Sequence, residues 1–120
     1  MSEDITRQIV RRHLDAWRNG DVDGLMADYA DDAVLLTRDA GVVAGKDALR
    51  AMFGQVFSTL FKPGDTRLDV TAELISGELA LIHWDASTSA FRTTGAFDTF
   101  TVRDGKIVSQ CAGLTLQPVE

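Results

Sequence analysis

The stretch GAFDTFTV, residues 95–102, sets a carboxylate into what otherwise reads as a buried strand. Alternate residues of a strand share a face, so Asp98 falls in line with Ala96, Phe100 and Val102. A slipped register would bring Phe97 inside, but it would expose Phe100 and Val102 and bury Thr99 and Thr101, so the inward reading of Asp98 is preferred. A buried carboxylate must be paired, or its pKa must rise until it is neutral. A neutral acid in an apolar pocket can donate a hydrogen bond to a carbonyl and stabilise a developing oxyanion. The plain alternative is an acid bonded to a helix residue for architecture alone.

His13 is the second candidate. It shares the apolar stripe of Ile5, Ile9, Val10, Leu14 and Trp17 near the N-terminus. A lone histidine on such a stripe is usually an ordinary core residue. Close to Asp98 it would instead form an acid/base couple, the carboxylate orienting the imidazole. An imidazolium would hold the Asp98 pKa down, so the paired acid and the neutral acid exclude each other at neutral pH. His83 and Asp85 also invite attention, but Ala80, Ile82, Trp84 and Ala86 form the apolar face of their strand and leave them on the other side. Cys111 alternates out of the face of Gln110, Ala112 and Leu114, with no cue to reactivity beside it. Arg67 and Arg92 read as solvated charges at strand ends.

The elements that must position these residues follow from periodicity. Residues 4–19 predict a helix, with Ser2 or Asp4 as a cap and Gly20 as its stop. Asp21 resembles the N-cap of a short second helix over DVDGLMADYA, whose inward residues would be Val22, Leu25, Met26 and Tyr29. DDAVLLT predicts a strand, RDAG a turn and VVAG a second short strand. Lys46–Phe61 is the clearest helix, with Leu49, Met52, Phe53, Val56, Phe57 and Leu60 at helical spacing and Pro63-Gly64 beyond its end. The period then changes to two, predicting strands at 66–76, 79–90, 95–103 and 106–116. Ser76-Gly77-Glu78 and Asp104-Gly105 are the tight turns between them. Helices first and an antiparallel meander after them predict an α+β fold with helices covering one face of the sheet.

Composition narrows the function classes. A chain of 120 residues fits one domain, spanning 1–120, that buries roughly two-thirds of its unfolded surface. With 45% apolar and 25% charged residues it needs neither metal nor disulfides to fold. A formal charge of −6 argues against nucleic acid or an anionic membrane as partner. One cysteine allows no internal disulfide and suits a reducing cytoplasm, and the N-terminus has no secretory pattern. No apolar run approaches the ~18 residues of a membrane helix. A Gly-rich phosphate loop, zinc-type Cys/His spacing, G-x-S-x-G and basic–aromatic interleaving are all missing from the sequence.

The segments WRNGDVDGLMADYADDAV, GVVAGKDAL and FTVRDGKI stand at the joints of the order helix–helix–strand–helix–meander. With them the chain resembles the nuclear-transport-factor-2-like superfamily, in its ketosteroid isomerase-like and SnoaL-like polyketide cyclase-like branch. The likeness spans nearly the whole chain, but its motifs are caps, turns and packing glycines, which specify fold more than chemistry. It implies a cystatin-like fold: a curved sheet wrapped around a long helix, forming a cone with an apolar pocket, usually as a homodimer. By motif position Asp98 resembles the oxyanion-hole acid of the ketosteroid isomerases. His13 stands where those enzymes carry a tyrosine. Their basic aspartate is replaced here by Thr37, which cannot abstract a proton α to a carbonyl. Asp39 lies two residues further on, in an expected exposed turn.

The resemblance therefore departs from steroid isomerisation but leaves cyclase, dehydratase or hydratase chemistry by one acid/base pair, without a cofactor, on a small apolar carbonyl compound. Asp98 and His13 would carry it. Trp17, Tyr29, Thr37, Phe53, Phe57, Trp84, Phe100 and Leu114 would line the pocket, an aromatic set suited to a planar apolar ligand. Two alternatives stand beside the enzyme. One is a ligand-binding domain without turnover; the other is an interaction domain whose cone is filled and whose outer sheet face makes a dimer.

Overall fold

A computed structural model describes residues 2–119. Its elements are α1 (Ser2–Arg18), α2 (Val22–Ala27), β1 (Tyr29–Thr37), β2 (Gly41–Ala44), α3 (Lys46–Thr59), β3 (Arg67–Ser76), β4 (Leu79–Ser87), β5 (Phe91–Arg103), β6 (Lys106–Gly113) and the short β7 (Gln117–Pro118). The strands form one curved, unclosed sheet in the order β2-β1-β6-β5-β4-β3, with β7 paired to β5. All pairs are antiparallel except β1 with β6, a parallel join between the first strand and the meander. The α+β expectation is met.

The first joint is set by backbone chemistry. Gly20 takes φ +62, and a Cβ there would lie 2.3 Å from the Pro63 ring, so only glycine both turns the chain and fits. The Asp21 side chain then accepts from Gly24 N at 2.9 Å, capping α2 as expected. The second helix is shorter than its sequence suggests, and Tyr29 begins β1 instead of extending α2. Asp28, the C-cap of α2, is tied to other elements: Arg12 pairs with its carboxylate at 2.8 Å, and its carbonyl accepts Ile107 N at 2.8 Å. Lys106 also reaches the Ala27 carbonyl. These tertiary partners outweigh a marginal helix of two turns.

Strand ends shift for similar reasons. β4 stops at Ser87 because Thr88 forms a side-chain-capped turn, its Oγ1 accepting from Ala90 N and Phe91 N, and β5 therefore starts at Phe91. β6 ends at Gly113, short of the predicted 116, and α3 ends at Thr59, short of Phe61. The Asp104-Gly105 hairpin has both residues at positive φ, 53° and 73°, with Arg103 paired to Lys106.

Two bulges decide which side chains face inward. Between Trp84↔Ala96 and Ala86↔Thr93 the β5 strand carries an extra residue, with Gly95 at φ +69. Thr93 is buried before it; Ala96, Asp98, Phe100 and Val102 are buried after it. The inward parity thus changes from odd to even at Gly95. On β6 the pairs Val102↔Ile107 and Thr101↔Ser109 leave Val108 as the extra residue, and Gln110 follows Ile107 onto the inner face. The core on that face joins Val10 and Leu14 of α1, Leu49, Phe53 and Phe57 of α3, and Leu35, Ile82, Trp84 and Phe100 of the sheet.

Candidate active site

Asp98 sits between two flanking strands whose diagonal neighbours reach it. Its register partners are Ile82 on β4 and Ala112 on β6, so Trp84 and Gln110 lie one step off on either side, within reach of long side chains. The indole N–H of Trp84 donates to Asp98 Oδ2 at 2.8 Å, and the amide of Gln110 donates to Oδ1 at 3.0 Å. The buried hydroxyl of Tyr29 donates in turn to the Gln110 carbonyl oxygen. Asp98 is 9% exposed. Burial pushes its pKa up to about 7, while the hydrogen bonds from Gln110 and Trp84 act in the opposite direction.

His13 is 4% exposed, and burial lowers its pKa to about 4, so at neutral pH it is uncharged. Its Nδ1 is sealed without a hydrogen-bond partner. The ring is held edge-on by Phe100, Tyr29 and Phe53, with centroids 5.0, 6.0 and 6.2 Å away. The expected His13–Asp98 couple is not formed, since both Asp98 oxygens are taken by neighbours on the adjacent strands. The hydrogen-bond partners of Asp98 are thus a tryptophan and a glutamine rather than the histidine, and burial pushes its carboxyl up.

Both residues line a cavity of about 320 Å³ enclosed by α1, α3 and the inner face of the sheet. Trp17, Thr37, Phe53, Trp84 and Leu114 belong to its wall, as expected from the sequence. Tyr29, Phe57 and Phe100 do not. Phe100 and Tyr29 are buried behind His13 and Gln110, and Phe57 packs against Phe53 and Trp17. Met52, Val56, Leu60, Leu68 and Leu116 complete an apolar lining that includes no lysine or arginine. Asp39 reaches the mouth of the cavity, but its side chain is 71% exposed and pairs with Arg38 at 3.3 Å.

Gln110 was not singled out as a site residue in the sequence. The signal was present: an amide sharing a strand face with Ala112 and Leu114 needs a buried polar partner. His83 and Asp85 lie off the cavity, where Asp85 accepts from Gly95 N at 2.9 Å and His83 packs against Phe97. Cys111 is exposed on the outer face.

A curved, unclosed sheet packed on three helices is the nuclear-transport-factor-2-like fold. Residues 10–110 match the family described as SnoaL-like domain, and the chain belongs to that family. No curated protein sequence matches the chain. Among solved structures, a nuclear-transport-factor-2-like protein of unknown function from Burkholderia xenovorans superposes with a TM-score of 0.80 at 23% identity, covering 100% of this chain and 89% of the other. A candidate ketosteroid isomerase from Kribbella flavida gives 0.80 at 18% identity, over 99% and 83%. An epoxide hydrolase of the LEH-like type from Mycobacterium tuberculosis gives 0.77 at 16%, over 96% and 86%. At these identities the likeness establishes the fold alone.

Proposed function

We propose that this protein is an enzyme that performs cofactor-free acid/base chemistry, of the isomerase, cyclase or dehydratase type, on a small neutral carbonyl compound held in the cavity. One observation carries the reading: the carboxyl of Asp98 lies in the wall of an apolar cavity, held by Trp84 and Gln110, with its pKa raised to about 7. A group that titrates near the working pH can both take and return a proton. His13 lines the same cavity as an uncharged ring, its Nδ1 turned away and sealed, so it shapes the pocket beside Asp98 without adding a charge. A carboxylate or phosphate on the ligand would meet no counter-charge there, which favours a neutral molecule. Similar folds described as ketosteroid isomerase and epoxide hydrolase support an acid/base enzyme without fixing the reaction.

The test is a screen of neutral ketones, enones and epoxides, followed by Asp98→Asn on whichever substrate turns over. Loss of about 10²-fold or more in kcat is expected. Unchanged turnover would remove Asp98 from the chemistry.

A second reading has its own support. Thr37, in the position where the resemblance implies a catalytic aspartate, lines the cavity, and the nearby Asp39 is exposed at the mouth. A binding protein with the same cavity would hold ligand in Asp98→Asn and turn over nothing. In either case we infer a homodimer through the outer sheet face. There Val42, Leu36, Cys111, Thr99, Leu81 and Leu74 form one row in register across six strands, with Phe97 and Leu79 beside it.

A further inference from the structure

We propose that Tyr29 and Gln110 are positioning residues for Asp98: the Tyr29 hydroxyl fixes which way the Gln110 amide faces, and the amide holds Asp98 as a proton acceptor. The proposal rests on the acid/base reading of Asp98 and names what sets its readiness to accept a proton.

The argument is one of hydrogen-bond polarity. A glutamine amide can present either its oxygen or its NH2 to a neighbour, and a tyrosine hydroxyl can donate or accept. The buried chain Tyr29–Gln110–Asp98 can therefore run in two directions. In one, Tyr29 donates to Gln110 Oε1 and the Gln110 NH2 donates to Asp98, which suits a carboxylate. In the other, a protonated Asp98 donates to Gln110 Oε1, and the amide turns its NH2 to Tyr29. The second direction leaves the Tyr29 proton without an acceptor, because Gln110 Oε1 is the one acceptor its hydroxyl meets among the described residues. A buried donor without a partner is costly. Tyr29 therefore biases the amide toward the direction in which Asp98 accepts.

The geometry isolates this effect. Facing Asp98, α1 contributes His13, β1 contributes Tyr29, and the turn after β1 contributes Asp39 at the cavity mouth. α3 turns only Met52, Phe53 and Val56 toward the cavity, and Leu60 just beyond its end adds one more apolar side chain. Burial holds His13 neutral down to about pH 4, and burial together with the Asp98 charge pushes the Tyr29 hydroxyl up, so neither ionises while Asp98 does. Trp84 is a built-in reporter. The chain has two tryptophans, and only the indole of Trp84 donates to Asp98.

The experiment follows the Trp84 indole N–H by NMR from pH 5 to pH 9 in the wild-type protein, Tyr29→Phe and Gln110→Leu, with no ligand added. The midpoint should rise by about one pH unit in Gln110→Leu, which loses a donor to the charged form, and by roughly half as much in Tyr29→Phe. A purely structural role would lower stability without moving the midpoint. Should Gln110→Leu fail to fold, Tyr29→Phe removes one oxygen and carries the test alone. Midpoints equal to wild type in the folded variants would overturn the proposal. The outcome is separate from turnover: inactivity of every substrate would sink the enzyme reading while a shifted midpoint still upheld the relay.

Discussion

Trp84 donates its indole N–H to Asp98 Oδ2 at 2.8 Å, and since an indole never accepts, that oxygen is an acceptor in both protonation states. When Asp98 is protonated, its proton therefore cannot point along the Trp84 contact. Trp84→Phe keeps an aromatic ring in the cavity wall but removes the donor. The ionised form loses about one hydrogen bond, so the Asp98 pKa should rise by about one unit. Carbon-13 labelling of the aspartate carboxyls reads this directly. An unmoved midpoint would mean that the indole contributes packing alone.

Stability against pH follows from two buried groups of opposite sign. Asp98 is raised from 3.8 to about 7, so its contribution is full below the unfolded value and is lost as pH rises toward 7. His13 is lowered from 6.5 to about 4, so its contribution is full above 6.5 and is lost as pH falls toward 4. Between about pH 4 and 6.5 the two slopes oppose each other. Asp98→Asn removes the falling slope, and its stability relative to wild type should grow by about 1 kcal/mol per pH unit across that window. His13→Phe should do the reverse. Urea unfolding at four or five pH values checks both, and parallel curves for wild type and variants would contradict the pKa directions.

How far the site is legible in the sequence depends on which interactions are local. Strand alternation put Asp98 inside, and Trp84 and Gln110 on inward faces, because a period of two needs only neighbouring residues. What alternation cannot supply is the partner. The choice of Trp84 and Gln110 over His13 comes from strand register, which brings residues 12 and 14 positions away onto the diagonals of Asp98. Tyr29 joins β1 rather than the helix for the same reason: Arg12 and Ile107, remote in sequence, hold Asp28 at the end of α2. The cap at Asp21 and the turn at Asp104-Gly105, both set by local chemistry, were read correctly.

Gly95 tests how the inward parity is maintained. Its φ of +69 is unfavourable for an L side chain, yet no atom lies within 4 Å of the position a Cβ would take. Gly95→Ala therefore carries a backbone penalty alone, about 1–2 kcal/mol. If the bulge persists, urea unfolding should register that loss and the Trp84 indole midpoint should stay near 7. A strand that relaxes the bulge would turn Asp98 outward and send the midpoint toward 4. That second outcome would identify Gly95 as the residue that keeps Asp98 in the cavity.

The outer face makes the last prediction. Leu36 and Leu74 are 45% and 62% exposed; Leu36 pairs with Val42 and Leu74 with Leu81, and Cys111 and Thr99 stand between the two apolar pairs along the row. A stable pair of such faces buries on the order of 1,200–2,000 Å² and carries its energy in the centre of the patch. Leu81 is the inner of the two leucines on the β3 side of the row, in register with Thr99 and Leu74. In a two-fold dimer Leu81→Glu enters both copies, and two like charges must lose water in the same contact. Light scattering at micromolar concentration should give a dimer for wild type and a monomer for Leu81→Glu, with the far-ultraviolet circular dichroism unchanged. A wild-type monomer at that concentration would rule the interface out. A variant that stayed dimeric would move it off this face.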